Sequence, residues 1–375
     1  MRFLAPIFTL GAVSATIPNC FLEDANSVTC EDLDQNLSGL DTITWSDFGQ
    51  IDHLKLKLDD GEAQVNQNNI PILENVLSDL SSTLMELTLI HFNNAINNQV
   101  LKRAPLLDTL RIINTQVDSL PDLLFKDTAI EYFKVSDSEI QNFNSKLFAQ
   151  SNLKKLKFER NKLSTLEEDS FKHLKELEHL DLSDNDISEV HVDVMKYLKN
   201  LKKLDLENNG LSALPTEFLK KNVDLKHLSL AGNNIEELPC EFLKYQYELV
   251  SFNITNNKFS SLPCHVINRQ GEQLILFDAT NNLLHQRYNT DLSHKRGANF
   301  RLNKKGVKAN GRVMTEILED GTIEFVEGNE NQIAGTMTMA CQVLGLDSGV
   351  SKFRIFGVIS HQNHINNCEH HILLN

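Results

Sequence analysis

LEHLDLSDNDI at 177–187 is followed by LKKLDLENNGL at 201–211, LKHLSLAGNNI at 225–235 and LVSFNITNNKF at 249–259, and is preceded by LKKLKFERNKL at 153–163. The five segments share one pattern. Leu153, Leu177, Leu201, Leu225 and Leu249 stand 24 residues apart, and an apolar residue recurs three positions on (Leu156, Leu180, Leu204, Leu228, Phe252) and five positions on (Phe158, Leu182, Leu206, Leu230, Ile254). Apolar residues at alternate positions fit a short strand with one face turned inward. The ninth position is always asparagine (Asn161, Asn185, Asn209, Asn233, Asn257), whose amide can satisfy backbone groups of the tight loop after the strand. No unit of this length buries its apolar side alone, so the segments must stack as the rungs of a solenoid.

The period extends in both directions with less regularity. Leu84, Leu107 and Ile130 open rungs 23 residues apart, with Phe92, Thr115 and Ser138 where later rungs have asparagine, and Leu274 opens a last rung with Phe277, Ala279, Asn282 and Leu284. A second apolar column, Phe125, Phe148, Phe171, Met195, Phe218, Phe242 and Val266, lies 17 or 18 positions beyond each opening leucine. Burial of each such side chain contributes roughly 1.5–3 kcal/mol before entropy is subtracted. The motif L-x-x-L-x-L-x-x-N-x-L resembles the leucine-rich repeat. That resemblance implies an α/β solenoid, a horseshoe with a parallel concave β-sheet. Its degenerate early rungs and regular later ones are similar to those of secreted animal leucine-rich repeat proteins, including proteins akin to the non-catalytic subunit of luciferin monooxygenase.

At the N-terminus, Arg2 precedes an apolar run from Phe3 to Val13 and a small-residue site, Val13-Ser14-Ala15, which read together as a secretory signal over residues 1–15. Pro6 and Gly11 disfavour a buried helix there, and no later run of about 20 uncharged apolar residues offers a transmembrane anchor. Residues 16–83 then form an N-terminal cap with a first irregular rung, 84–297 the repeats, and 298–375 a small mixed α+β unit where the period is lost. The formal net charge of −15 argues against general nucleic-acid binding, which needs a positive footprint.

The six cysteines form three sequence-local pairs, as an oxidising compartment favours. Cys20 and Cys30 suit a disulfide-closed cap. Cys240 and Cys264 both occur in L-P-C at one site of consecutive rungs, and stacked rungs about 4.8 Å apart put them within disulfide reach. Asn36-Leu37-Ser38 and Asn253-Ile254-Thr255 are N-glycosylation acceptors if the chain is secreted. In the last part, FRLNKKGVKANGRVMTEILEDGT (300–322) and ACQVLGLDSG (340–349) resemble the scavenger receptor cysteine-rich family. Glu327 and Ser360 stand near positions where that family has cysteine, and Asn375 comes before its usual final cysteine, so the resemblance implies either a degenerate domain or one cut short. A single bridge between Cys341 and Cys368 would not match its usual pairing.

The outward residue at the centre of each strand lines the expected concave face, and the column reads Thr88, Arg111, Lys134, Lys157, Asp181, Asp205, Ser229, Asn253, Asp278. Lys155 and Arg160 thicken its basic part, and Tyr132 stands beside it as an aromatic anchor. A strip that is basic at Arg111, Lys134, Lys155, Lys157 and Arg160 and acidic at Asp181 and Asp205 suits an extracellular protein partner, because opposed charges fix register. The competing readings are that Lys157 and Asp181 merely neutralise each other as cross-strand neighbours, or that the basic part binds microbial polyanions. On sequence alone, reversing Lys134 and Lys157 is expected to leave the fold nearly intact.

No nucleophile elbow, zinc-protease helix, P-loop or dinucleotide fingerprint occurs, and no cofactor or metal is implied. The histidine cluster at 361–371 reads as non-metallic, because its one cysteine is expected to be oxidised. The whole points to a secreted protein-binding module without catalysis of its own. The signal reading predicts that the secreted protein begins at Thr16, which N-terminal sequencing of material from the medium checks. Retention in cells with Met1 intact would refute it.

Overall fold

The structure is a computed structural model that describes residues 19–34, 36–37, 39–59, 70–92, 96–117, 119–142, 144–260 and 276–283, and the backbone of five short strands beyond them. The chain divides into two compact units, Met1–Ile187 and Ser188–Asn375.

The first unit opens on a hairpin. Strand β1 (Asn19–Leu22) pairs antiparallel with β2 (Ser27–Leu33), which sets Cys20 opposite Cys30, and the two are joined by a disulfide. From β2 onward the strands of this sheet pair in parallel, with one register shift in β2 between Cys30 and Leu33, through β3 (His53–Leu58), β4 (Glu86–Ile90), β5 (Thr109–Ile113), β6 (Tyr132–Ser136), β7 (Lys155–Glu159) and β9 (His179–Asp181), while the two-residue β8 (Thr165–Leu166) lies on the return side. The sheet thus begins before Leu84, where the repeat becomes legible. In β3, Leu54, Leu56 and Leu58 face inward with almost no exposure, although no asparagine follows them at the ninth position.

Return segments follow the length available. After β3 the chain forms α1 (Ile70–Asp79), whose Leu73, Val76 and Leu77 fall at helical spacing and are buried. After β4 comes the single turn α2 (Asn98–Leu101), capped by Asn97, whose side chain accepts from the Val100 amide at 3.1 Å. A 3₁₀ turn at Ser145–Phe148 serves a later rung. The expected second apolar column is buried wherever it is described: Phe125, Phe148, Phe171, Met195, Phe218 and Phe242 are at most 3% exposed. Val266 lies outside the described residues.

The second unit contains the short β10 (Glu189–Val190) and the parallel strands β11 (Lys203–Asp205), β12 (His227–Ser229), β13 (Ser251–Asn253), β14 (Leu276–Asp278) and β15 (Asn299–Arg301). Beyond them β16 (Met314–Ile317), β17 (Ile323–Glu327), β18 (Phe353–Ile355) and β19 (Ile372–Leu374) form a separate sheet, antiparallel between β16 and β17 and parallel thereafter.

The ninth-position asparagines bind rung to rung. Asn233 Nδ2 donates to Leu206 O of the preceding rung at 2.9 Å and to Leu230 O and Ala231 O of its own loop, while its Oδ1 accepts from the Leu211 amide at 3.1 Å. Asn185, Asn257 and Asn282 repeat the set. In the early rungs hydroxyls take over with fewer arms. Ser138 Oγ accepts from the Thr115 amide and donates to Ser136 O, and Thr115 Oγ1 donates to Phe92 O.

Immediately before the ladder residues Asn185, Asn209, Asn233, Asn257 and Asn282 the backbone is left-handed, at Asp184, Asn208, Gly232, Asn256 and Asn281, residue types that tolerate positive φ. At Gly232, where φ is +64°, an added Cβ would lie 2.0 Å from the Asn208 Oδ1, so a larger residue would have to adopt a strained backbone and displace that amide. Cys240 is disulfide-bonded; its expected partner Cys264, like Cys341 and Cys368, lies outside the described residues.

Two outcomes are expected. Replacing Asn233 with Leu leaves several buried backbone groups unpaired at about 1–3 kcal/mol each, so the denaturation midpoint should fall far more than for an exposed substitution in the same rung. Non-reducing peptide mapping should recover the Cys240 peptide joined to the Cys264 peptide.

Candidate functional site: the outward face of the sheet

Register places the expected residues side by side in the first unit. Thr88 pairs with Arg111, Arg111 with Lys134, Lys134 with Lys157, and Lys157 with Asp181. Tyr132 stands opposite Lys155 in the next column. Arg160 lies past the end of β7 in a left-handed turn, and Asp205 belongs to the second unit, where it faces Ser229. Asn253 faces the same side of that unit, and the acceptor Asn36 is exposed.

The strip is not a free basic patch beside a free acidic one. Arg111 pairs with Glu86, Lys134 with Glu159, and Lys157 with Asp181 at 2.9 Å and with Glu159 at 3.6 Å. Arg160 grips Asp137 through two nitrogens at 2.5 and 3.1 Å and reaches Glu159 at 3.1 Å. Lys134, Lys157 and Arg160 thus face Glu159, Asp181 and Asp137, a balanced cluster. Lys155 is exposed and has no ion pair among the described residues. Sequence reading missed Glu159, the hub of this network. Its signal was simple: it stands two positions after Lys157 on a strand, hence on the same face.

These pairs change the expectation for Lys134 and Lys157. The side chains of Glu159 and Asp181 are only 11% exposed, so reversing the lysines would set like charges against carboxylates that have lost much of their water. That double change is therefore destabilising rather than neutral. Burial pushes the Asp181 carboxyl up, but hydrogen bonds from Ser183 and Lys157, and the lysine charge, outweigh it and hold the group below its ordinary value. The hydrogen bond that Arg160 donates to Asp137 likewise holds its guanidinium firmly protonated.

The acidic half of the column also has a local role. Asp181 Oδ1 accepts from the Ser183 amide at 3.2 Å, Asp205 Oδ1 from Glu207, Asn253 Oδ1 from Thr255 and Asp278 Oδ1 from Thr280. This turn, closed by an Asp or Asn side chain on the amide two residues on, ends the strand. Strands β9, β11, β13 and β14, which carry Asp or Asn there, are three residues long, whereas β4–β7, with Thr, Arg or Lys, run to five.

The longer strands expose a third outward column that the sequence reading also passed over. Ile90 and Ile113 are direct cross-strand neighbours and half-buried on the outward face. Beside them Arg111 lies over the Tyr132 ring, its guanidinium carbon 5.4 Å from the centroid. The face of β4–β7 is thus an apolar and aromatic centre framed by ion pairs already satisfied. Among the described residues no group of three or more His, Cys, Asp or Glu side chains is placed to hold a metal ion, and the histidines at 361–371 lie outside them.

Because the folded-state value of Asp181 is depressed, its stabilisation is present above its unfolded value and lost as pH falls through the folded one. Asp181→Asn should therefore be less stable than the native chain at neutral pH. The gap should close as pH drops below about 3.8, followed by urea denaturation across pH.

Comparisons with known proteins agree on the architecture. Residues 63–154 match a BspA type leucine rich repeat region, residues 128–187 a leucine rich repeat, and residues 200–221 and 224–245 further leucine rich repeats. No curated protein sequence matches the chain. Among solved structures, TLR13 in its complex with ssRNA13 aligns with a TM-score of 0.54 and 17% identity, over 85% of this chain and 52% of that one. A leucine-rich repeat protein of Leptospira interrogans aligns with a TM-score of 0.51 and 19% identity, over 80% of this chain and 74% of that one. The chain spans about half the length of the TLR13 chain it matches. Likeness at such identity speaks for fold and not for ligand. The fold is that of a leucine-rich repeat solenoid.

Proposed function

We propose that this is a secreted protein-binding module, an adhesion, recognition or accessory subunit without chemistry of its own, and that the outward face of β4–β7 makes the contact. The supporting observation is the composition of that face. Ile90, Ile113 and Tyr132 supply apolar and aromatic anchors, and the charges around them are already paired, so a partner desolvates little that is unpaired. Secretion is supported by the signal-like residues 1–15 and by the disulfide linking Cys20 to Cys30. A kinship with luciferin monooxygenase accessory subunits, and a degenerate scavenger receptor unit at 298–375, remain readings of the sequence motifs.

Binding of microbial polyanions by the same face is the weaker alternative. It asks for unpaired cations, and of the five basic residues only Lys155 lacks an ion pair among the described residues. The structure of TLR13 with RNA describes that protein, and the overall charge of −15 here works against a long polyanion.

The test is capture from extracellular fluid on the immobilised mature chain, with mass spectrometry of what is retained. Ile113→Ser combined with Tyr132→Ala should weaken capture of the retained protein more than tenfold while thermal stability stays close to native. Retention should change little with salt. Undiminished capture by that variant, or capture of nucleic acid or acidic glycan that vanishes at high salt and depends on Lys155, would overturn the reading.

A further inference from the structure

On the return side of the second unit, the segments ahead of three successive strands are pinned by a second amide ladder. Asn222 Nδ2 donates to Leu198 O at 2.6 Å and to Met195 O at 3.1 Å, and Gln246 Nε2 donates to Leu219 O at 2.7 Å and to Asn222 O at 3.3 Å. Leu198, Asn222 and Gln246 are completely buried and 24 residues apart, so these bonds stack them as one column. Phe218 and Phe242, deeper on the same side, repeat the spacing with parallel rings whose centroids lie 6.4 Å apart.

A buried column sends its flanking residues outward in two rows. One row is Tyr197, Lys221, Tyr245, and the other is Lys199, Val223, Tyr247. Tyr245, Val223 and Tyr247 are 37, 46 and 52% exposed, and Lys199 and Lys221 are exposed without ion pairs among the described residues. Neither row holds a carboxylate. Three of the five tyrosines of the chain stand here, so the grouping is not a reflection of composition. The neighbouring lysines are engaged: Lys220 with Glu217 at 2.7 Å, Lys244 with Glu241 at 2.5 Å and with the Tyr245 ring, and Lys196 over the Tyr197 ring at 4.9 Å.

We propose that these two rows form a binding site for an anionic oligosaccharide. Aromatic rings held on a rigid backbone accept the C–H faces of pyranose rings, and the two lysines without ion pairs among the described residues, Lys221 between Tyr197 and Tyr245 and Lys199 at the head of the other row, meet carboxylate or sulfate groups along the sugar. Because the amide ladder fixes the backbone beneath, little ordering is left for binding to bring about. A short glycan with one acidic group per disaccharide fits better than a nucleic acid, because a phosphate on every nucleotide would be set against Asp224 and Glu248 at the border of the site, whereas widely spaced charges can meet Lys199 and Lys221 alone. The site is separate from the β4–β7 face and does not depend on it.

The test is calorimetry on the full chain with three probes: a hexasaccharide of alternating glucuronic acid and N-acetylglucosamine, a chitin-derived hexasaccharide, and single-stranded RNA of similar length. The native chain should bind the acidic sugar more than tenfold more tightly than the neutral one or the RNA. Tyr245→Ala with Tyr247→Ala should weaken that binding more than tenfold, and Lys199→Glu with Lys221→Glu should abolish it, both with native thermal stability. Tyr132→Ala in the other unit should leave it unchanged, so this site and the β4–β7 face can fail independently. Absence of binding to the acidic sugar, binding that survives loss of both tyrosines, or equal binding of RNA would each overturn the proposal.

Discussion

The fold depends on a side-chain amide that holds two rungs at once. Asn185 Nδ2 reaches Phe158 O of the previous rung while also closing its own loop through Leu182 O and Ser183 O. Without such a donor the carbonyls after each strand would be buried unpaired, at a cost comparable to a lost hydrogen bond for each. The amide therefore sets the loop geometry, and the loop sets the parallel register that brings Leu156 over Leu180 and Leu228 over Phe252. Where the ladder thins to the hydroxyls of Thr115 and Ser138, the rungs remain in register but their strands lengthen and their return segments vary.

Strand length in turn shapes the surfaces. An Asp or Asn at the central outward position folds back on the amide two residues later and stops the strand, as at Asp205 and Asp278. Arg111 and Lys134 cannot do this, and their strands continue for two more residues, to a half-buried Ile113 and a buried Ser136. That choice of residue contributes to the small polar face of the second unit and the apolar, ion-paired one of the first, although β12, with Ser229 in the same column, is equally short. The return side of the second unit follows the same logic: Asn222 and Gln246 are buried to fix backbone, and the residues on either side of each are displayed as a consequence.

Much of this was legible in the chain. The 24-residue period, the inward leucines, the ladder asparagines and the buried phenylalanine column follow from spacing alone, because stacked identical units repeat each residue's environment. The early strands were harder. β3 has the inward alternation of Leu54, Leu56 and Leu58 but no asparagine after it, and α1 replaces the usual return segment. The members of the candidate face were also legible, since outward position on a strand follows from alternation.

By itself the sequence determined which residues lie inside, which face outward, and which stand in one column, since these depend only on period and polarity. Tertiary structure decided which charges remain available. Glu159 gathers Lys134, Lys157 and Arg160, and Arg111 divides itself between Glu86 and Tyr132. Those partners mostly lie about one rung away along the chain, in adjacent columns, and the choice among them rests on side-chain rotamers and on how far burial has stripped each carboxylate of water. A linear pattern encodes neither.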